Sequence, residues 1–172
     1  EGLMFRQTTW TPLSEPALRN LETELGNRAR PVPRSWFVSY QSDRQIAVEI
    51  VHRNRHRATA VAAMGMTSDE KTVTRADRAL VAGEWLRPGE SRAVLLPYRL
   101  AATLFITASD VGKTEVVIFG VPFTVRGLFD PQVIGKIRDL DDEEITPVNF
   151  EATQRRRQNE NMTVQQQEGQ LP

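Results

Sequence analysis

His52 and His56 are the only two histidines of the chain, with Arg53, Asn54 and Arg55 between them. On a helix, four-residue spacing would put both imidazoles on one face, where they could share a divalent cation. This stretch reads instead as a strand ending in a turn, and Arg53, Arg55 and Arg57 would repel a bound cation. Glu49 becomes a third ligand only if the chain bends back, so both rings are expected to be ordinary polar groups of a hairpin. No nucleophile elbow accompanies either histidine. Thr107 to Thr114 reads TASDVGKT and ends like a phosphate-binding loop. That loop needs glycine at its first position and a strand-to-helix context, whereas Thr107 stands there and Glu115 to Phe119 looks extended. Gly112 and Lys113 are therefore expected in a hairpin turn.

Glu84 and Glu90 surround Trp85, which makes Trp85 a candidate sugar contact. Hydrolysis would also require two facing carboxylates at a defined separation, which sequence spacing does not establish. The chain has no cysteine, which excludes a disulfide framework, a thiolate metal centre and a cysteine nucleophile. No catalytic residue, cofactor or metal ligand is assigned, and the expectation is a protein that is not an enzyme. Asn161-Met162-Thr163 fits the glycosylation sequon by chance-level matching alone, and no glycan is assigned.

Charge offers a second kind of chemistry. Arg28, Arg30 and Arg34 precede the main body, and Arg53, Arg55 and Arg57 decorate a turn within it. An acidic run, Asp139, Asp141, Asp142, Glu143 and Glu144, follows. Pairing these arginines with the acidic run of a neighbouring subunit would use bidentate, charge-assisted hydrogen bonds. The bland alternative is two solvated charge runs. Lysine plus arginine and aspartate plus glutamate each number 22, so the chain lacks the field of a dedicated nucleic-acid binder, and no specific nucleic acid is expected as a partner.

The elements that must position these groups begin with a helix from Glu15 to Leu25, capped by Ser14 and stopped by Gly26, with Leu18, Leu21 and Leu25 on one stripe. Residues 1–34 form this helix and a Pro-rich arm. From 35 to 127 the pattern turns to short alternating runs: Trp36 to Tyr40, Gln45 to His52, Ala58 to Met64, Lys71 to Thr74, Arg92 to Leu96, Leu100 to Ala108, Glu115 to Phe119 and Val121 to Arg126. Ile46, Val48 and Ile50 define the core face of the second strand. Gly120 and Pro122 suggest a bend or bulge between the last two. Strands without long intervening helices predict an all-β fold, a single barrel or sandwich with jelly-roll topology as the leading arrangement and another Greek-key sandwich as the alternative. A helix from Pro131, capped by Asp130, and the acidic linker fill 128–152. A Gln- and Arg-rich polar tail fills 153–172, and it is either disordered or ordered against a neighbour. Glu1 to Arg6 does not read as a signal peptide. The longest strongly apolar run, Val116 to Phe123, is eight residues against the roughly twenty of a spanning helix.

The strand block, with its runs LAATLFI from Leu100 to Ile106 and VVIFGVPF from Val116 to Phe123, and its flanking arms resembles the small single-jelly-roll capsid proteins of tailless icosahedral viruses with an internal membrane. The resemblance covers about half the chain and contains no functional motif. It implies a virion location, a homo-oligomeric building block, association with a second capsid protein and peripheral contact with the internal membrane. The function expected is therefore structural assembly. The alternative is a monomeric ligand-binding β-sandwich, with carbohydrate as the candidate ligand, in a secreted or cytoplasmic soluble protein.

Overall fold

The computed structural model describes residues 14–38 and 48–146. Trp10, the ends of the first two expected strands at 39–40 and 45–47, the Asn161 sequon and the polar tail 153–172 lie outside the described residues. The chain divides into two compact units at Pro33 and Arg34.

The first unit holds α1 (Glu15–Leu25). The Ser14 hydroxyl accepts the Ala17 amide at 3.3 Å, Pro16 occupies the first turn, and Gly26 ends the helix at φ +53°. Each feature satisfies or removes a backbone group that a helix end leaves without a partner.

The second unit contains two sheets. β1 (Arg34–Val38) pairs antiparallel with β4 (Ala62–Met66), Arg34 facing Met66 and Val38 facing Ala62. The larger sheet runs in the order β3 (His56–Ala60), β2 (Val48–His52), β7 (Glu115–Ile118), β8 (Val121–Phe129), β5 (Leu80–Gly83), and β6 (Ala93–Pro97) pairs with β8 as well. Val61 alone separates β3 from β4, so the single expected strand Ala58 to Met64 is divided between the two sheets. Phe119 and Gly120, at φ +52° and +76°, make a two-residue turn between β7 and β8. Positive φ at both central residues gives the turn a twist that matches the strands it joins, so the period-two run across Gly120 is a hairpin rather than a bend.

The fold is mixed α/β with an open sheet, and the all-β barrel or jelly roll expected from the alternating runs is corrected on four observations. β6 and β8 are parallel, Ala93 facing Thr124 and Leu96 facing Leu128. Leu100 to Ala108, expected as a strand, contains most of α3 (Tyr98–Thr103) and the start of a short 3-10 turn at Ala108–Asp110. Ala101 and Leu104 are fully buried three positions apart while Ala102 and Thr103 are exposed, which is helical rather than alternating periodicity. Lys71 to Thr74, also expected as a strand, belongs to α2 (Glu70–Thr74), whose buried residues Glu70 and Thr74 stand four apart. Among the described residues the sheet does not close, because β3 at one end pairs only with β2.

Both faces of the β6–β8 region are covered. Leu96, Leu104, Val125 and Leu128 join Val48, Ile50 and Val116 in one core beneath α3. Leu95 and Phe129 turn the other way, onto a second core of Ala76, Ala79, Trp85, Ile134, Ile137 and Ile145. Ile134 belongs to α4 (Pro131–Ile134), capped by Asp130, whose carboxylate accepts the Gln132 amide at 2.8 Å. Val94 faces Val125 and Leu95 faces Gly127, so Arg126 is an extra residue in β8. That bulge keeps Val125 and Leu128, three apart, in the same core. Gly83 sits where β5 passes closest to β8. Its φ is +81°, and a Cβ there would meet the Arg126 carbonyl and Val111 Cγ1 at sub-van-der-Waals distance. Gly83→Ala is expected to destabilise the second unit by about 3 kcal/mol, the combined scale of left-handed strain and overpacking. Urea denaturation checks this, and an unchanged midpoint would contradict it.

Candidate contact site

His52 closes β2, and its side chain continues the face of Val48 and Ile50 into the core, leaving the residue only 1% exposed. Its Nδ1 lies 2.7 Å from the Leu104 carbonyl oxygen, and its Nε2 lies 2.9 Å from Thr114 Oγ1. A carbonyl oxygen can only accept, so Nδ1 carries the proton and donates, and Nε2 accepts from the Thr114 hydroxyl in the neutral ring. One imidazole thereby ties together the end of β2, the turn after α3 and the turn that enters β7.

The turn after α3 carries an unusual side chain. Phe105 is 69% exposed, and its backbone has φ +57°, a left-handed conformation that a bulky residue rarely adopts. Its ring packs on His56, with centroids 4.5 Å apart, and the His56 ring lies 6.1 Å from that of His52. Arg53 and Asn54, both at positive φ, and Arg55 form the β2–β3 turn beside it, and all three are exposed. The turn into β7 holds Gly112 at φ +78°, with its amide bonded to the Val125 carbonyl at 2.8 Å, and Lys113, whose Nζ donates to the Ser109 carbonyl at 3.1 Å. Gly112 and Lys113 thus make a turn that leads into a strand, not into a helix. On the sheet face away from the core, Val51, Val117 and Pro122 line a shallow groove of about 620 Å³ bordered by Arg53, Lys113 and Glu115.

Asp110 staples the connecting loop: one carboxylate oxygen accepts both the Thr107 hydroxyl at 2.6 Å and the Thr107 amide at 2.8 Å. These bonds, the hydroxyl first, hold its carboxyl below the ordinary aspartate range. A carboxyl depressed in the folded chain contributes stability above its unfolded pKa and loses it as pH falls through the lower, folded value.

The remaining charged candidates lie elsewhere. Arg34 is paired inside its own chain. Its Nε and Nη2 form a fork at 2.8 Å to each oxygen of Glu70, which is 0% exposed, and its Nη1 reaches Asp139 at 3.2 Å. The bonds to Glu70 first, then those to Asp139, hold the guanidinium above its ordinary pKa against the cost of burial. Burial pushes the Asp139 carboxyl up, but the Asp141 and Glu143 amides and Arg34 outweigh it and hold it below its ordinary value. Glu144 pairs with Arg138 at 3.3 Å, and Asp141, Asp142 and Glu143 are exposed on the same turn. Arg57 pairs with Glu49 at 2.7 Å, which also removes Glu49 from the two histidines. In the first unit, Arg28 donates to the Glu24 carbonyl at 2.9 Å, and Arg30 is exposed. Trp85 is buried in the second core and its indole donates to the Ser68 carbonyl at 3.0 Å. Glu84 pairs with Arg87, and Glu90 with Arg126, so each acid is engaged by an arginine of its own.

Sequence reasoning placed Phe105 inside a strand and Thr114 in an anonymous turn. Two signals could have found the site. His52 continues the Ile46-Val48-Ile50 face by period two, and Ala101 and Leu104 keep helical spacing up to Phe105.

Compared with protein families, the sequence matches the model of the MacB-like periplasmic core domain from residue 4 to residue 171. The chain belongs to the MacB-like periplasmic core domain family. No curated protein shows significant similarity to it, and no solved structure does.

MacB-like periplasmic core domains are non-catalytic accessory domains, and this chain is not an enzyme. No group of three or more His, Asp or Glu among the described residues could hold a metal ion. The family match and the open sheet overturn the capsid resemblance. The virion location, the homo-oligomeric capsid building block, the second capsid protein and the internal viral membrane fall with it. The monomeric carbohydrate-binding sandwich is overturned on the same two findings, and so is a cytoplasmic soluble protein. Apolar runs and flanking arms are shared by many folds, and these carried the capsid likeness without any residue that does capsid chemistry.

Two outcomes test this geometry. Arg34→Met leaves the Glu70 carboxylate buried without its guanidinium, and the chain should lose about 3–5 kcal/mol in urea denaturation. Asp110→Asn should abolish the acid-dependent shift of the Thr107 amide proton in an NMR titration below the ordinary carboxylate range, and persistence of the shift would rule out the staple.

Proposed function

We propose that this chain is the periplasmic module of an ABC-transporter assembly, and that it works by protein contact at the surface formed by Phe105, His56, Arg53 and Arg55. The family match over residues 4–171 carries this reading. Members of the family are associated with ABC transporters, and the partners that follow from this membership are the other protein components of such an assembly.

The chemistry of the surface supports contact rather than catalysis. An aromatic ring held out in water on a left-handed turn forfeits the stabilisation its burial would bring, about 2 kcal/mol for a phenylalanine side chain. A partner with an apolar pocket would recover it, and acidic groups rimming that pocket would face Arg53 and Arg55. Aromatic anchors with arginine around them are the usual composition of contact hot spots. In this reading Arg53 and Arg55 face a transporter component instead of the acidic run of a neighbouring copy.

The test is a photoreactive phenylalanine analogue placed at position 105 of the protein in its cellular assembly, with position 59 as the control, Thr59 being exposed on β3. Cross-links from 105 should map to a transporter component and exceed those from 59 severalfold. Phe105→Ala should weaken that association about tenfold or more. Equal yields from both positions, or cross-links from 105 only to proteins unrelated to the transporter, would remove the contact assignment.

A further inference from the structure

We propose that the buried His52 imidazole is a proton-operated latch that holds the Phe105 turn in its contact-ready position and releases it on acidification. The proposal rests on the contact reading above and supplies its regulation.

Three observations carry it. First, the ring is 1% exposed, and both of its hydrogen-bond partners, the Leu104 carbonyl and the Thr114 hydroxyl, are uncharged. Second, those partners sit on two different turns, so the same ring fastens both to β2. Third, Leu104 directly precedes Phe105, whose ring rests on His56, the cross-strand partner of His52.

Proton uptake changes this arrangement at one atom. In the neutral ring, Nε2 accepts from Thr114. Once Nε2 binds a proton it must donate, so the Thr114 hydroxyl has to turn its own hydrogen away and offer a lone pair. The ring also becomes a cation between two neutral partners, and a buried charge without a paired counter-charge is costly. Water reaches the imidazolium only if the turns at 104–106 and 112–114 loosen from the sheet.

Charges of both signs surround the ring. On β2, Arg53 follows the ring directly, and Glu49 is engaged by Arg57 of β3. From the β2–β3 turn and β3 come Arg55 and His56. From the loop after α3 comes Asp110, which accepts from Thr107 but keeps its negative charge and interacts electrostatically with both Arg53 and His52. From the turn into β7 come Lys113 and Glu115, both exposed.

The experiment is nitrogen-15 NMR of the 172-residue chain carrying His56→Gln, which leaves His52 the only histidine. Imidazole shifts and amide hydrogen exchange are followed together from about pH 8 to about pH 5, the range where imidazoles change charge. The proton should sit on Nδ1 at the upper end. As the ring protonates, the amides of Leu104 to Ile106 and of Thr114 should lose about tenfold or more of their protection while those of Val51 and Val117 hold, a local opening rather than global unfolding. His52→Asn keeps a donor near the Leu104 carbonyl and cannot titrate, so the protection of the turn should become independent of pH over this range. If that variant fails to fold, the single-histidine chain still decides.

Four results would overturn the latch: an Nε2–H tautomer at the upper pH, an imidazole still neutral at about pH 5, protonation without any change at the turn, or simultaneous loss of protection in turn and sheet. Because these readouts need no partner, they fail or succeed separately from the cross-linking at position 105. A latch without cross-links refutes the contact reading, whereas cross-links without a latch refute only its regulation.

Discussion

β8 is the constraint on which the second unit depends. Its first residues, Val121 to Thr124, pair with β7, its last residues pair antiparallel with β5, and β6 runs parallel along much of its length. A strand with neighbours on both edges has its backbone groups satisfied within the sheet, and it can be covered on both faces. The Arg126 bulge makes this double coverage possible. Without the extra residue, Val125 and Leu128 would project from opposite faces, and one of them would leave its core. Arg126 itself, displaced from the ladder with β6, reaches Glu90 and anchors the loop that follows Trp85.

From that framework the contact site is only one strand away. β7 registers β2 through Ile50–Ile118 and His52–Val116, which sets the imidazole at the sheet's end, where α3 and the β7 turn converge. A polar ring in such a place is expensive unless both nitrogens are bonded, and here both are. Satisfying His52 therefore constrains two turns at once. Phe105 is placed by the buried Leu104 and Ile106 on either side of it, by the bond from its own amide to the Ala102 carbonyl at 3.0 Å, and by the bond from His52 to the Leu104 carbonyl, not by packing of its own ring into the core.

The elements legible in the sequence were those with strong local chemistry. Ser14, Pro16 and Gly26 mark the ends of α1, and Val116 to Val125 shows period two on both sides of Gly120. α3 was illegible as a helix because Leu100-Ala101-Ala102-Thr103-Leu104-Phe105-Ile106 is apolar nearly throughout, and a short apolar run does not distinguish a buried strand from a buried helix. α2 was hidden for another reason. Its buried Glu70 looks like a surface residue until Arg34, thirty-six positions earlier, is brought against it. Arg34 joins one member of the acidic run, Asp139, within one chain. The attraction between such groups is readable in the sequence, but which arginine meets which acid is decided by the fold. The parallel β6–β8 pair, which decides the fold class, leaves no mark on either strand's own pattern.

The two ways in which this chain buries charge and polarity differ in what they can respond to. Glu70 faces a guanidinium that stays protonated at any pH the folded chain meets, so the Arg34–Glu70 fork is a fixed joint over the neutral range. His52 is hydrogen-bonded to two neutral groups, and in the proposed latch its own charge is the variable. Arranged this way, the joint holds the small β1–β4 sheet to α2 and to the Asp139 turn, while His52 bonds the carbonyl of the residue that precedes the exposed aromatic side chain. A module that only filled space would gain nothing from Phe105 in a strained, solvated position against His56. In a module that meets a partner, a ring on a short turn at the end of α3 can be presented or withdrawn without unfolding the sheet beneath it.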